Sequence, residues 1–329
     1  MPLSRKENVK RAIHFQKPDY IPLLYYSLNE IHMSDIALVT VQTFFGGGNG
    51  RTSEWGFIWK EDQTPFSLGQ VETPAVPDWE SLDSYRPLDV FSYDRFAAAR
   101  GLMAANPDRY YIADFTLSGF TVMAFVRGFE DFLVGMHTER ENVEKLADIV
   151  CEAESELIRA CAREGFDAIA LGDDLGTQKS LLFSVEMFRE IFKPRLAKQI
   201  ALAHSLGLAV YMHSCGYIMD IIPDLIDIGL DVINPGQPAL NGVCAMGEQF
   251  RGRICFACPI GYQTTGISGS KEEIDAEIKG YVKELSLRDG GLIGLVWTGL
   301  QTLGSTAEVQ RDVLETWNRY CGERNRYGE

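Results

Sequence analysis

The sequence predicts a single-domain (β/α)₈ barrel (a TIM barrel) that spans residues 1–329. Two patterns and the chain length predict this fold. Short apolar segments alternate with helical segments along the second half of the chain. The apolar segments lack a polar face, which is typical of parallel strands that are buried on both sides. About eight strand–helix units in a chain of 329 residues favour a closed barrel over an open sheet, and no linker divides the chain.

Seven segments have the length and composition of buried strands. They cover residues 20–25, 110–115, 167–172, 208–213, 231–234, 253–257 and 291–297. We expect the eighth strand within residues 31–60, where the apolar pattern is weaker. No glycine-rich motif for a dinucleotide or a phosphate follows a strand. The glycine-rich segment 46–50 lacks the lysine of a phosphate-binding loop, so we predict a flexible loop there.

Helices are predicted before, between and after these strands. They cover residues 4–14, 93–105, 184–204, 219–228, 242–250, 270–287 and 305–320. The helix at 270–287 has a clear beginning, because Ser270 precedes Glu273 by three residues, the spacing of a capping box.

One long segment does not fit the strand–helix repeat. Residues 50–86 carry Trp55, Trp59, Trp79 and several prolines, and they are too many for a simple connection. Long loops inside compact domains are usually functional. We therefore predict a long N-terminal excursion over the mouth of the barrel.

Charge and composition exclude several classes of partner. The net charge is -15, with 31 Lys and Arg against 46 Asp and Glu, and the chain has no basic run. Nucleic acid and anionic membranes are therefore not expected as partners. No apolar run is long enough to span a bilayer, and the N-terminus lacks the apolar stretch of a signal peptide. Seven scattered cysteines do not form a disulfide pattern, and we expect a cytoplasmic protein.

The most informative pair of residues ends the predicted strand at 208–213. A strand has a side-chain period of two, so His213 and Cys215 face the same side. Imidazole and thiolate are common ligands of zinc. The pair is a metal site, a substrate contact or a packing contact, and its place at the end of a barrel strand favours a function.

Other strands end in residues that can take part in chemistry. These strand-end residues are Tyr26, Asp114, Asp173, Asp174, Gln237, Cys258 and Trp297. A catalytic zinc usually has three protein ligands, and Cys258 is the best third candidate by its position at a strand end. Of the adjacent pair Asp173 and Asp174, one caps a turn, and the other faces the mouth as a substrate contact, general base or metal ligand. Asp114 is a second candidate for an acid–base role.

Several stretches together resemble one protein family. They are DDLGTQ at 173–178, FKPR at 192–195, HSCG at 213–216 and GLDVINP at 229–235, with weaker likeness at 5–19 and 53–56. The chain resembles the uroporphyrinogen decarboxylase superfamily over nearly its whole length. The resemblance implies a (β/α)₈ barrel with the active site at its mouth, in agreement with the strand count.

This resemblance implies one of two chemistries. The decarboxylases carry an arginine-rich segment after the first strand that grips the substrate's carboxylates, whereas residues 25–31 here contain no arginine. The cobalamin-dependent methyltransferase-like branch has a His-x-Cys zinc motif, which His213 and Cys215 match. That branch takes a third ligand, a cysteine, from near the last strand, and residues 296–298 supply none. Cys258 or Asp174 is the expected replacement.

We therefore predict a zinc-assisted methyltransferase that works with a corrinoid protein and a small-molecule methyl donor or acceptor. Zinc is held by His213 and Cys215, with Cys258 or Asp174 as third ligand. Asp174 and Asp114 are the catalytic candidates, and the substrate contacts are expected from Tyr26, Trp55, Asp173, Gln237 and Trp297. The alternatives are a uroporphyrinogen decarboxylase, in which Asp114 or Asp174 contacts pyrrole N–H groups, and a non-catalytic tetrapyrrole- or corrinoid-binding homologue. The sequence leaves the methyl donor, the acceptor and the oligomeric state open.

Overall fold

Eight parallel strands form the central barrel in the computed structural model, which describes residues 2–43, 51–60 and 69–322. The barrel strands are β1 (Leu23–Tyr25), β2 (Ile36–Thr40), β5 (Tyr110–Asp114), β6 (Ala168–Gly172), β7 (Ala209–Ser214), β8 (Val232–Pro235), β9 (Cys255–Pro259) and β10 (Leu292–Val296). Strands β3 (Ile58–Trp59) and β4 (Val71–Thr73) form a separate antiparallel hairpin. The predicted fold class is confirmed, and the eighth strand, β2, lies inside the expected interval.

The strand order around the barrel is β1-β10-β9-β8-β7-β6-β5-β2. The last gap, between β1 and β2, is bridged by the residues that precede β2. The backbone N–H of Asp35 donates to the Leu23 carbonyl at 2.9 Å, and the Asp35 carboxylate accepts from the Leu23 N–H at 2.9 Å. The Ser34 hydroxyl oxygen accepts from the Tyr25 N–H at 2.9 Å. These backbone and side-chain hydrogen bonds connect β1 and β2 where a regular ladder of strand hydrogen bonds is missing, so the barrel is nearly closed.

Thirteen α-helices surround the barrel in the described part of the chain. They are α1 (Arg5–Ile13), α2 (Ala97–Ala105), α3 (Gly119–Arg127), α4 (Phe129–Thr138), α5 (Arg140–Glu164), α6 (Val185–Met187), α7 (Lys193–Ser205), α8 (Ile222–Asp227), α9 (Pro238–Asn241), α10 (Val243–Phe250), α11 (Thr265–Ser268), α12 (Lys271–Leu285) and α13 (Ala307–Cys321). Helices α3, α4 and α5 were not predicted. They fill the interval between β5 and β6.

Two details of the helices bear on the sequence predictions. The capping box of α12 is confirmed, because the Ser270 hydroxyl accepts from the Glu273 N–H and the Glu273 carboxylate accepts from the Ser270 N–H. The helix predicted at 184–204 is broken by a π-helical turn, Phe188–Phe192, between α6 and α7. Pro194 explains the break, since it has no N–H for the α-helical ladder.

The core has two layers, which follow from the period of two along each strand. Inward-facing residues such as Tyr110, Ile112, Tyr211 and Ile293 fill the barrel interior. The alternate residues face outward and pack against the helices in a larger cluster. This alternation decides which strand-end residues reach the mouth.

The described residues of the predicted excursion contact α3 on the outside of the barrel. Trp55 and Trp59 are buried, and the Trp59 ring lies 5.3 Å from the ring of Phe125 on α3. The Arg127 guanidinium lies 4.9 Å above the Trp79 ring. None of the described residues of the excursion lines the cavity at the mouth. The glycine-rich segment 46–50, predicted to be a loop, lies outside the described residues.

Two further observations concern the chain as a whole. No helix in the described ranges is both long and apolar enough to cross a bilayer. All seven cysteines have free thiols, as expected from their spacing.

Candidate functional site

A cavity of about 900 Å³ opens at the carboxyl ends of the barrel strands. This is the end of a (β/α)₈ barrel where active sites are built. The lining side chains that carry polar or aromatic groups are Tyr26, Asp114, Thr116, Asp174, Tyr211, His213, Cys215, Asn234, Tyr262, Gln263, Trp297 and Thr302. Most of those on strands belong to the inward-facing set.

His213 and Cys215 lie together at the end of β7. The Cys215 sulfur is 3.4 Å from His213 Nε2, so the two groups form one unit. The chain turns sharply after Cys215, at Gly216, whose φ of +81° is in the region that favours glycine. A Cβ at Gly216 would lie 2.2 Å from the Gly176 backbone. The turn therefore requires glycine, and it keeps the thiol at the mouth.

Asp174 completes a group of three possible metal ligands with this pair. One carboxylate oxygen of Asp174 lies 3.7 Å from His213 Nε2 and accepts a hydrogen bond from the Cys215 N–H at 3.0 Å. The ligand atoms of the three side chains all lie within 4.8 Å of one another. Among the described residues this is the group of His, Cys, Asp and Glu side chains that could hold a metal ion.

The donor set fits zinc. Imidazole, thiolate and carboxylate are its usual ligands, and bond lengths of about 2.0–2.3 Å at tetrahedral angles place the ligand atoms about 3.3–3.6 Å apart. The observed separations from His213 Nε2 are 3.4 Å to the Cys215 sulfur and 3.7 Å to Asp174. The separation of His213 from Cys215 lies within this range, and its separation from Asp174 is slightly longer.

Asn234, on the neighbouring strand β8, orients the imidazole. Its Oδ1 lies 2.6 Å from His213 Nδ1, and its Nδ2 donates to the Ala257 carbonyl. Because the Ala257 carbonyl can only accept, the amide nitrogen must face it and the amide oxygen must face the ring. Nδ1 then carries a proton, and Nε2 is directed at Cys215 and Asp174. Such a partner is typical of histidines that bind metals.

Charge around His213 raises the pKa of its imidazole. Burial alone lowers this pKa, but the hydrogen bond and charge of Cys215, then Asp174 and Asn234, outweigh it and raise the pKa to about 9. Without a metal the ring is thus protonated at neutral pH. The surroundings favour a positive charge at the position where a cation would bind.

Asp173 points away from the cavity and caps a helix. Its carboxylate accepts from the Phe120 N–H at 3.0 Å, and from the Thr121 N–H and hydroxyl at 2.8 Å each. Burial raises the pKa of Asp173 to about 8. Thr121 in turn accepts from the Asp174 N–H at 3.0 Å, so the start of α3 holds the Asp173–Asp174 turn in place. The structure thus separates the two carboxylates: one caps α3 and the other faces the mouth.

Three other predicted residues line the cavity with His213 and Cys215. Asp114 accepts hydrogen bonds from the Thr116 N–H at 2.8 Å and from the Thr40 hydroxyl at 3.2 Å, and burial raises the pKa of its carboxyl. Trp297 packs against Tyr262, with ring centroids 5.6 Å apart. Tyr26 lies deeper, and burial raises the pKa of its hydroxyl.

The structure does not bring the other predicted residues into the cavity. Cys258 is fully buried in the layer between barrel and helices, because Cys255, Ala257 and Pro259 are the inward-facing residues of β9. Trp55 is also fully buried, and its indole N–H donates to Gln42 at 3.2 Å.

Gln237 has a supporting position. Its side-chain oxygen accepts from the Gly216 N–H at 2.6 Å, and it does not line the cavity. It therefore fixes the turn that follows Cys215.

Two residues of the site were missed from the sequence. Asn234 is the inward-facing residue at the end of β8, so the period of two that selected His213 also selects Asn234. Tyr262 follows β9 in a loop, and its hydroxyl lies 3.5 Å from the Cys215 sulfur. No periodic pattern in the sequence indicates that contact.

Comparison with known proteins identifies a family and several solved structures that resemble this chain. The sequence matches the model of the family described as Uroporphyrinogen decarboxylase (URO-D) over residues 58–288. A methyltransferase from Methanosarcina mazei has a TM-score of 0.71 at 15% sequence identity, covering 97% of this chain and 99% of that chain. Xylanase 10B from Thermotoga maritima gives a TM-score of 0.43 at 10% identity, covering 98% and 100%. No curated protein matches the sequence. The first of these relatives shares the fold.

Proposed function

This chain belongs to the uroporphyrinogen decarboxylase family, and from that premise we propose that it is a zinc-dependent methyltransferase. One observation carries the proposal: Asp174, His213 and Cys215 place three suitable ligand atoms within 4.8 Å of one another in the lining of a large cavity. The fold shared with a methyltransferase supports it. In this proposal Asp174 is the third ligand, in place of the cysteine that the methyltransferase-like branch has near the last strand.

The residues of the site would prepare the metal ligands. Asn234 holds His213 with Nε2 directed at the metal position. The Cys215 N–H fixes the Asp174 carboxylate, and the Tyr262 hydroxyl, 3.5 Å from the Cys215 sulfur, can donate to the thiolate. Three protein ligands leave one position for a substrate atom. A zinc ion held there would supply Lewis-acid chemistry, or would lower the pKa of a bound thiol so that it becomes a nucleophile.

The lining of the cavity favours methyl transfer over porphyrinogen decarboxylation. A substrate with several carboxylates needs cationic partners, of which bidentate arginine is the strongest. Among the described residues that line the cavity there is no lysine or arginine. Asp114 and Asp174, the carboxylates available to pyrrole N–H groups, add negative charge instead. Decarboxylation is therefore the weaker alternative.

A corrinoid protein is the proposed partner that carries the methyl group. This part of the proposal rests on the family resemblance. The free thiols of all seven cysteines favour a reducing compartment, so we propose a cytoplasmic enzyme. A homologue that binds a corrinoid without turnover is distinguished from this enzyme by the assay below.

The test is a methyl-transfer assay with free cobalamin as the stand-in for the partner. Cob(I)alamin is mixed with methyl ethers, methylated amines and methylated onium ions, and methylcobalamin is mixed with thiols, while the cobalamin spectrum is recorded. We expect turnover in at least one pairing, its loss in His213→Ala, and its retention in Cys258→Ala. Conversion of uroporphyrinogen to coproporphyrinogen, with no methyl transfer in any pairing, would contradict the proposal.

A further inference from the structure

We infer that the ligand of this cavity is a small organic cation, and that the methyl donor is a methylated onium ion, either quaternary ammonium or sulfonium. The identity of the donor rests on the proposed function. The preference for a cation rests on the cavity alone. Three features carry it: the charge of the lining, the aromatic walls and the charge balance at the metal site.

The lining carries more acidic than basic side chains. Asp114 and Asp174 are its carboxylates, and His213 is its one basic side chain among the described residues. His213 is already held by Asn234, Cys215 and Asp174. Asp114 ends β5, two strands from His213 on β7, and its hydrogen bonds come from neutral donors on Thr40 and Thr116. A cation in the cavity would supply the missing opposite charge.

Aromatic rings form other parts of the cavity wall. Tyr262 and Trp297 both line the cavity and pack edge to face, at 67° with ring centroids 5.6 Å apart. Tyr26 and Tyr211 also line the cavity, and their hydroxyl groups interact with each other. Aromatic faces within about 6 Å attract organic cations, and cages of this kind recognise quaternary ammonium groups.

The proposed metal does not remove the excess negative charge. A zinc ion carries two positive charges, and the Cys215 thiolate with the Asp174 carboxylate carries two negative ones, so the loaded centre is neutral. Asp114 is then the carboxylate of the lining that has no metal beside it. An onium substrate balances it. When its methyl group passes to a nucleophile such as a reduced corrinoid or a thiolate, the bonding electron pair stays on nitrogen or sulfur, and a neutral amine or thioether leaves.

Three ligands of one shape but different charge test the inference. Choline is positive, 3,3-dimethylbutan-1-ol is its neutral carbon analogue, and 3,3-dimethylbutanoate is negative. Binding is measured by calorimetry on the protein as purified and after chelation of metal. We expect choline to bind at least about 10-fold more tightly than the neutral analogue, a difference of about 1.4 kcal/mol. The anion is expected to bind most weakly.

Variants show whether the preference comes from the cavity. Asp114→Asn should reduce choline affinity about 10-fold and leave the neutral analogue unchanged, and Trp297→Leu should weaken choline more than the analogue. The matched control is Glu248→Gln on α10, which makes the same change in net charge at an exposed position and should change neither affinity.

The outcomes separate this inference from the proposed function. Equal affinity for the three ligands, tighter binding of the anion, or no binding of choline at about 10 mM overturns the inference. Choline binding with the expected preference, in a protein without methyl transfer, removes the proposed function and keeps the inference. Methyl transfer from a neutral donor, by a protein that binds the three ligands equally, removes the inference and keeps the proposed function.

Discussion

Asn234 Oδ1 lies 2.6 Å from His213 Nδ1, and this contact sets which nitrogen of the histidine is available to a metal. The amide itself is fixed by its second hydrogen bond, to the Ala257 carbonyl on β9. Two neighbouring strands thus orient one imidazole on a third. Loss of either hydrogen bond would destabilise the folded protein, since a buried amide group would then lack a partner.

Removing this support should weaken metal binding. In Asn234→Ala the His213 ring loses the acceptor for its Nδ1 proton, and we expect zinc affinity to fall about 10- to 100-fold. Competition with a fluorescent chelator measures it. Asn234→Asp keeps an acceptor at the same position and should bind zinc within a few-fold of the unchanged protein. An Asn234→Ala protein with unchanged affinity would show that the contact does not support a metal ligand.

Removal of Asp173 should mainly lower stability, and removal of Asp174 should mainly lower zinc affinity. Asp173→Ala takes three hydrogen bonds from the start of α3, so we expect the free energy of unfolding to drop by about 2 kcal/mol with zinc content retained. Asp174→Asn should instead lose zinc affinity with a smaller loss of stability. Urea denaturation and metal analysis of both variants check this pair. Equal zinc loss in the two would refute the assignment of Asp173 to capping.

The buried Glu154 should cause the free energy of unfolding to fall as the pH rises from 4.5 to about 7. Burial raises the pKa of its carboxyl from 4.5 to about 7 in the folded protein, partly offset by hydrogen bonds from Gln199 and Gly119. Below pH 4.5 the group is protonated in both states. Between these pKa values the unfolded chain ionises first, so the folded state loses relative stability as pH rises, and the loss is complete above pH 7.

Glu154→Gln tests that pH dependence. The substitution removes the titration, and Gln199 can turn its amide to keep a hydrogen bond. We expect the variant to gain up to about 3 kcal/mol relative to the unchanged protein between pH 4.5 and pH 7. Urea denaturation at a series of pH values measures the difference. A stability difference that is constant over this interval would contradict the raised pKa.

Much of the fold follows from local sequence patterns. Seven strands were recognisable as apolar segments, and the period of two correctly placed His213 and Cys215 on the inner face. Helix α5 was missed although Val143, Leu146 and Val150 have regular helical spacing. Helix α3 gives a weaker signal, because most of its residues are buried and it has no polar face.

The third metal ligand was harder to predict, for physical reasons. Cys258 was selected by its position at a strand end, but its place in the alternation of β9 directs it outward. Which of Asp173 and Asp174 faces the mouth depends on α3, since its N-terminus engages Asp173. The burial of Trp55 also depends on tertiary packing. The local sequence does not show whether such a segment packs against the helices or covers the mouth. Such contacts between distant segments are not contained in local patterns.

The most direct test of the central claim is metal analysis of the freshly purified protein by mass spectrometry, beside three variants. We expect about one zinc per chain in the unchanged protein, since three protein ligands define one catalytic site. His213→Ala and Asp174→Ala should lose it, and Cys258→Ala, altered on the outward face of β9, should retain it. A protein without stoichiometric zinc, or one whose zinc depends on Cys258 and not on Asp174, would contradict the account.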